Sequence, residues 1–404
     1  MEPIDIFNAE FIIDKEEIKK RTDNLRKELN KLNIDYAVII QNADVFYFTG
    51  IVQQGIVIIS QEKEPVFLVK KNIEIARKFS RFPIILPIAS FKDISKFINP
   101  NSIIGFETDV LPYKNVLYYS NIIKAKKIVD ISTAIRNVRA VKSAKEITFI
   151  EKASTQLARL IETLPEFITP GITEREVFTQ AVSILMSQSH QGYCRMRGFN
   201  QEMFYGHILS GKKGLIESYL DAPTNGSGIY PAFPQGSNGN ILEKGTLLSV
   251  DLVGCFNGYH SDQTRAFALG KIKKEIEDNF KRVLEIEHET VNIIKPGVLW
   301  EKAYEKAIET ARNLKVEDFF MGSEHKVKFV GHGIGVEVDE FPFIAQGFKN
   351  EFKENMVFAI EPKLFLKDIG IVGIENTFRI GKNSCEKLTK VENKIFLVSP
   401  HNFY

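Results

Sequence analysis

The sequence predicts two domains: an α/β domain over residues 1–140, then an α+β domain with mainly antiparallel pairing over residues 141–404. Three observations predict it. In the first third, apolar runs of strand length alternate with helix-like segments. From Gly192 the texture changes, and beyond Asn240 strand patterns dominate. Between the two lies a basic, polar stretch from Arg136 to Glu146, where the boundary is expected. A chain of 404 residues is too long for one ordinary domain and comfortable as two.

The first helix is expected over Glu16 to Leu32, where Ile18, Leu25, Leu29 and Leu32 recur at helical spacing with charge between them. A strand follows at Tyr36 to Ile40, and others at Ile56 to Ser60, Val66 to Val69, Ile84 to Ile88 and Ile103 to Phe106. No Gly-rich phosphate loop or catalytic constellation appears among them, so this domain reads as a scaffold or dimerisation domain. Ser143 and Glu146 have capping-box spacing ahead of a long helix, Ile147 to Pro165. A second helix, Glu174 to Ser187, follows the Pro170-Gly171 breaker. Asp221 to Asn240 is rich in Gly, Pro, Asn and Ser; a loop of that length inside a compact domain is usually functional or mobile. Strands are expected at Thr246 to Val253, Ser261 to Leu269, Val327 to Val330, Met356 to Leu366 and Ile371 to Ile380. Helices at Lys273 to Ile294 and Leu299 to Leu314 interrupt them.

Composition narrows the class. Hydrophobic residues at 44% and charged residues at 26% are the balance of a soluble globular protein. A net charge of +2 argues against a dedicated nucleic-acid binder. No stretch approaches the roughly 20 apolar residues of a membrane span. Met1 to Lys20 has scattered acids and no uninterrupted apolar segment, so no secretory signal is expected. The three cysteines, Cys194, Cys255 and Cys385, are too far apart for a disulfide framework or a zinc motif. A reducing, cytoplasmic location is the expectation.

The sharpest signal is acid in apolar surroundings. In Leu247-Leu-Ser-Val-Asp-Leu-Val253 an aspartate interrupts a buried-looking strand, and an isolated buried carboxylate costs several kcal/mol unless paired or metal-bound. If Asn257-Gly258 is a two-residue hairpin turn, Phe256 faces Tyr259 and Asp251 faces Thr264. Asp262 then lies diagonal to Asp251 on the same face, about 7–8 Å away between Cα atoms. A four-residue turn would set the two acids directly opposite. Glu361 closes another apolar run, Met356-Val-Phe-Ala-Ile-Glu-Pro362, and Glu375 lies within Gly373-Ile-Glu-Asn-Thr-Phe378. Between the two pairs, Gly331-His-Gly-Ile-Gly335 lets backbone approach His332 closely.

Four carboxylates and a neutral imidazole carry about −4, which two divalent ions would balance; the ligand types suit manganese, iron, cobalt or zinc. Two ions about 3.5–4 Å apart can hold one hydroxide and polarise a substrate carbonyl, the chemistry of metal-assisted amide hydrolysis. Taken singly, an acid at a strand end is usually a solvated edge or a salt bridge. His190, His260, His288, His325 and His401 read as structural.

These residues and their neighbours resemble the creatinase, prolidase, aminopeptidase P and methionine aminopeptidase superfamily, the pita-bread fold, over nearly the whole chain. Arg21 to Gly50 resembles the start of the N-terminal domain of prolidases and aminopeptidase P, with Asn33-Ile-Asp-Tyr and Tyr47-Phe-Thr-Gly50. Arg139-Ala-Val-Lys-Ser-Ala-Lys-Glu146 looks like the hinge into the catalytic domain. Leu242-Glu-Lys-Gly245, Ser261-Asp-Gln-Thr-Arg265 and Gly331-His-Gly-Ile-Gly335 look like its catalytic signatures. The resemblance implies that Asp251, Asp262, His332, Glu361 and Glu375 are the metal ligands, with Asp262 and Glu375 bridging two ions and Glu361 also moving protons. It implies hydrolysis of a peptide bond at a free N-terminus, commonly Xaa-Pro, in a homodimer.

Three positions depart from that pattern. Gln235 and Asp339 stand where prolidase-like members carry histidines that orient substrate and stabilise developing charge, and Gly373 stands where they carry an arginine. Arg195, Arg197 or His207 could replace the lost donors, and Asp339 and Glu340 could favour a cationic group on the ligand. The leading expectation is a dinuclear metallohydrolase of small peptides. The alternatives are a different metal-dependent reaction on the same fold, such as non-peptide C–N cleavage or a lyase reaction, and a non-catalytic binding relative.

Overall fold

The computed structural model describes residues 9–398, so His401 lies outside the described residues. The chain forms two compact units, Met1–Arg139 with Arg197–Asn200, and Ala140–Met196 with Gln201–Tyr404.

In the first unit, α1 (Lys15–Lys31) starts where the Asp14 carboxylate accepts the Glu17 N–H at 2.8 Å, and it buries Ile18, Leu25 and Leu29. The sheet is built from β1 (Tyr36–Ile39), β2 (Gly55–Ser60), β3 (Val66–Val69), β4 (Ile84–Pro87), β5 (Ile103–Phe106) and β6 (Lys127–Asp130), in the order β4-β3-β2-β1-β5-β6. It is mixed: β1 runs antiparallel to β2 and parallel to β5, and β3 runs antiparallel to β2 and parallel to β4. Val38, Ile58, Leu68, Ile104 and Phe106 fill the core. Helices α2 (Asn42–Thr49), α3 (Ile73–Phe79), α4 (Tyr113–Ile123) and α5 (Ser132–Ala140) complete the α/β pattern. The expected basic stretch from Arg136 is in part the end of α5, and Arg139 is buried there with Nη1 2.6 Å from Asp44 Oδ1. A charged residue that buries itself on a partner from another element is invisible to composition.

In the second unit, α6 (Ala144–Thr163) opens on the expected capping box. Ser143 Oγ accepts from Glu146 N–H, and the Glu146 carboxylate accepts from Ser143 N–H. It is followed by α7 (Glu174–Ser187) and β7 (Gly206–Ser210), then the hairpin β8 (Leu247–Phe256) and β9 (Tyr259–Leu269). The Asn257-Gly258 turn takes the two-residue register, with Phe256 opposite Tyr259 and Asp251 opposite Thr264. Both turn residues have the positive φ this turn demands, 46° and 81°. α6 crosses this hairpin at Gly254, where any Cβ would collide with the Ala153 carbonyl oxygen.

α8 (Lys274–Ile293) and α9 (Trp300–Asn313) lead to β10 (Phe329–Ile334), β11 (Val338–Ala345), β12 (Val357–Ile360), β13 (Lys363–Leu366), β14 (Gly370–Gly373), β15 (Asn376–Ile380), β16 (Cys385–Lys387) and β17 (Ile395–Val398). Two sheets, β17-β9-β8-β7 and β11-β10-β12-β15-β16, and the ribbon β13-β14 result, with Trp300 and the apolar sides of α8 and α9 in the core. All pairing in this unit's sheets is antiparallel except β17 with β9.

Three expectations change here. The strand expected at Val327 to Val330 runs instead over Phe329–Ile334, so Gly331-His332-Gly333 lies inside β10. Its glycines are required because a Cβ at 331 would strike the Ala359 carbonyl and one at 333 the Phe341 carbonyl, both on adjacent strands. Met356 to Leu366, expected as one strand, breaks at Glu361-Pro362, since proline offers no N–H to continue the ladder. Ile371 to Ile380 likewise breaks at Ile374-Glu375.

Candidate metal centre

Each expected ligand has its own element. Asp251 is on β8, Asp262 on β9 and His332 on β10; Glu361 and Glu375 occupy the two strand breaks. The breaks are anchored. Glu361 N–H donates to Val330 O at 3.0 Å, and the buried Arg265 guanidinium donates to Glu375 O at 2.8 Å and Asn376 Oδ1 at 2.7 Å. Thr264 Oγ1 donates to Glu375 Oε2 at 3.0 Å, and Thr377 Oγ1 accepts Asp262 N–H at 3.1 Å. The five side chains line one cleft of about 650 Å³, its mouth included, together with His207 and Asp339. The start of the long loop, Leu220 to Thr224, forms part of its wall.

Within the cleft the charges divide into two sides. On one, His332 Nε2 lies 4.0 Å from Asp262 Oδ2, 3.8 Å from Glu361 Oε1 and 3.7 Å from Glu375 Oε1. Ligand atoms about 2.1 Å from one ion can be no more than about 4.2 Å apart, so these distances admit a divalent cation. Glu375 Oε1 is buried without a hydrogen-bond partner, an orphan acceptor of the kind a cation satisfies. Asp262, His332 and Glu375 offer atoms close enough together for one ion. The other imidazole nitrogen, Nδ1, is 3.3 Å from Gly333 O and 3.4 Å from Asp339 Oδ1. A proton on Nδ1 therefore leaves the Nε2 lone pair facing the acids.

The other side already holds a cation. Lys363 Nζ, on a side chain 1% exposed, lies 2.6 Å from Glu361 Oε2, 3.0 Å from Asp251 Oδ2 and 3.5 Å from Glu375 Oε2. Thr224 Oγ1 donates to the same Asp251 oxygen at 2.6 Å. Burial works against a charge on Asp251, but Lys363 and Thr224 outweigh it and hold its carboxyl at about 2. Burial and the nearby Glu375 and Asp251 push Asp262 well above the usual carboxylate range. Burial likewise lifts Glu361 to about 7 against the pull of Lys363. The residues fit a metal ion on the His332 side. On the Asp251 side they meet an ammonium, which the charge balance drawn from sequence omitted.

The remaining candidates are placed as follows. His207 pairs with Asp251 across β7 and β8, and burial lowers its pKa. Its Nε2 is 3.3 Å from Gln235 Oε1, while Gln235 Nε2 donates to Glu202 O at 2.6 Å. Of the three suggested replacement donors, only His207 lines the cleft. Arg197 is committed to Asp109 and Asp44 at 2.6 and 2.9 Å, and Arg195 Nη2 donates to Tyr193 Oη at 3.1 Å. Glu340 is paired with Lys142 at 3.0 Å. Sequence reasoning missed Lys363, Thr224 and Arg265. For Lys363 the available signal was its spacing: two residues beyond Glu361 in extended chain, it must share a face with that acid.

The fold and this cleft define a metal-dependent hydrolase. The chain belongs to metallopeptidase family M24, which matches residues 148–382, and the creatinase/prolidase N-terminal domain matches residues 21–141. It therefore has the pita-bread architecture and is an enzyme of the peptidase class. An Xaa-Pro dipeptidase from Pyrococcus furiosus is 29% identical over 384 residues, covering 94% of this chain and 100% of that protein. One from Pyrococcus horikoshii is 30% identical over 376 residues, covering 91% and 96%. The crystal structure of the prolidase from Pyrococcus horikoshii OT3 superposes with a TM-score of 0.78 at 25% identity, covering 93% of this chain and 100% of that one. Divalent metal ions are implied by the family.

Proposed function

We propose that this protein is a metal-dependent peptidase of small peptides, of the Xaa-Pro dipeptidase or aminopeptidase kind. Residues 141–404 carry the site and residues 1–140 serve as scaffold. The observation that carries the reading is the buried His332 imidazole facing three carboxylate oxygens, one of them without a partner, at the floor of an open cleft. The names of the Pyrococcus relatives, alike over nearly their full length, support it. Manganese, cobalt, iron and zinc are the candidate metals. A bound divalent ion supplies Lewis acidity toward a carbonyl oxygen and makes water a better nucleophile.

The chain's own residues do the rest. Asp262, His332, Glu361 and Glu375 hold the ion, and Glu361 moves a proton between attacking water and departing amine. Asp339 fixes the His332 tautomer. Gln235 orients His207, which presents an imidazole to the substrate beside Asp251. The three free cysteines, none paired, agree with a reducing, cytoplasmic setting, and no described helix is long and apolar enough to cross a membrane. The working assembly is a homodimer.

The test is hydrolysis of Xaa-Pro and Xaa-Ala dipeptides by protein loaded with each of the four metals. Proline-dependent cleavage that a chelator abolishes is expected, and Asp262→Asn should lose both the ion and the activity. Metal uptake without turnover of any peptide would shift the assignment to a different reaction in the same cleft. Failure to take up metal would point to a non-catalytic binding relative.

A further inference from the structure

Resting on the metal-dependent reading above, we propose that the cleft takes one divalent ion, and that the Lys363 ammonium fills the place of a second cation beside Asp251.

The argument is geometric. Glu361 and Glu375 each split their two oxygens. The Oε1 atoms face His332 Nε2 at 3.8 and 3.7 Å, and the Oε2 atoms face Lys363 Nζ at 2.6 and 3.5 Å. Two carboxylates shared in this way are what a pair of adjacent cations requires, and here one of the pair is covalently part of the chain. Asp251 contacts the ammonium, while His332 and Asp262 face the opposite side. Among the described residues, the atoms grouped tightly enough for an ion come from Asp262, His332 and Glu375; Asp251 and Glu361 lie outside that group, and Glu361 reaches it through the 3.8 Å approach of Oε1 to His332 Nε2. The Asp251 oxygen nearest the lysine already accepts from Thr224 as well, at 2.6 Å. An ion placed between these oxygens would have to sit against Nζ, at the close range where like charges repel most strongly in a buried site.

The lysine fits because of what lies opposite it. Lys363 pairs with Gly373 across the β13–β14 ribbon. A Cβ on Gly373 would come within 2.5 Å of Lys363 Cγ and 3.2 Å of Lys363 Cβ, so a side chain there would displace the lysine stem. The glycine that departs from the resembling family's arginine is thus the space in which Lys363 lies. With the stem enclosed by its neighbours and the head held by three carboxylates, Lys363 is a fixed cation and not a surface charge folded inward.

Equilibrium dialysis against excess manganese, followed by metal quantitation, tests this without reference to turnover. The native protein should bind about one ion per chain and give the electron paramagnetic resonance spectrum of an isolated manganese ion. Lys363→Ala should bind about two, with the broadened, spin-coupled spectrum of ions about 3.5–4 Å apart. Two ions in the native protein, or one in a folded Lys363→Ala variant, overturns the inference. Should that variant not fold, the native stoichiometry and spectrum decide by themselves. One ion without cleavage of any peptide leaves the inference standing and removes the peptidase reading. No ion at all removes both.

Discussion

Asp339 is placed to influence a bound metal without touching it. Its carboxylate lies 3.4 Å from His332 Nδ1, on the far side of the ring from the acids. Carboxylates in that position fix the ring and raise its basicity, and losing one typically costs 10–100-fold in metal affinity. Asp339→Asn should therefore weaken manganese binding by roughly that factor in competition with a chelating dye. An unchanged dissociation constant would show that Gly333 O suffices to orient the ring. At this scale the acids were legible in sequence, because a carboxylate in an apolar run is chemically out of place. Lys363 was not, since a lysine near a strand end reads as solvated. Its partners Asp251 and Glu375 are remote in sequence and meet it only when the ribbon folds over β8.

At the scale of elements, the capping box at α6 was legible because it is local: Ser143 and Glu146 are three residues apart and satisfy each other's backbone. Ser143→Ala should cost about 1 kcal/mol of unfolding free energy, read as a lower urea midpoint with an unchanged slope. The hairpin turn was legible for the same reason, through Asn257-Gly258, while the choice of the two-residue register over the four-residue one came with the structure. Strands β7 and β11 were not. β7 is only Gly206–Ser210, and β11 carries Asp339 and Glu340 in a run broken by bulges against β10. Neither shows the clean alternation that marks a half-buried strand, because their faces are set by neighbours distant in the chain. The breaks at Glu361 and Glu375 escaped notice on similar grounds. An apolar run continues through each, and only the path of the sheet decides where it must stop.

For the molecule as a whole, stability should fall in acid, and His190 is one cause. Burial lowers its pKa from 6.5 to about 4. Its Nδ1 accepts the Gly192 N–H at 3.0 Å, its Nε2 donates to Val253 O at 3.1 Å, and its ring lies 4.6 Å from that of Tyr205. The neutral imidazole satisfies both bonds; a second proton would remove the acceptor. The folded value lies below the unfolded one, so the unfolded chain takes up the proton first as pH falls. The stabilisation is complete above about pH 6.5 and is lost between there and about pH 4, by up to about 3 kcal/mol. Urea titrations of His190→Gln and the native protein should differ most at pH 7 and converge toward pH 4. A constant gap would exclude His190 as a contributor. The α/β and α+β classes were legible because they depend on periodicity summed over long windows.

The Lys363–Gly373 pair also ties two positions of the chain to each other. With an arginine at 373 there is no room for a lysine stem at 363, and with the lysine in place any bulkier residue at 373 is obstructed. Gly373→Arg should therefore be tolerated only when 363 is shortened with it: the single variant should lose thermal stability, and a Gly373→Arg, Lys363→Gly double variant should recover part of the loss in the same melting experiment.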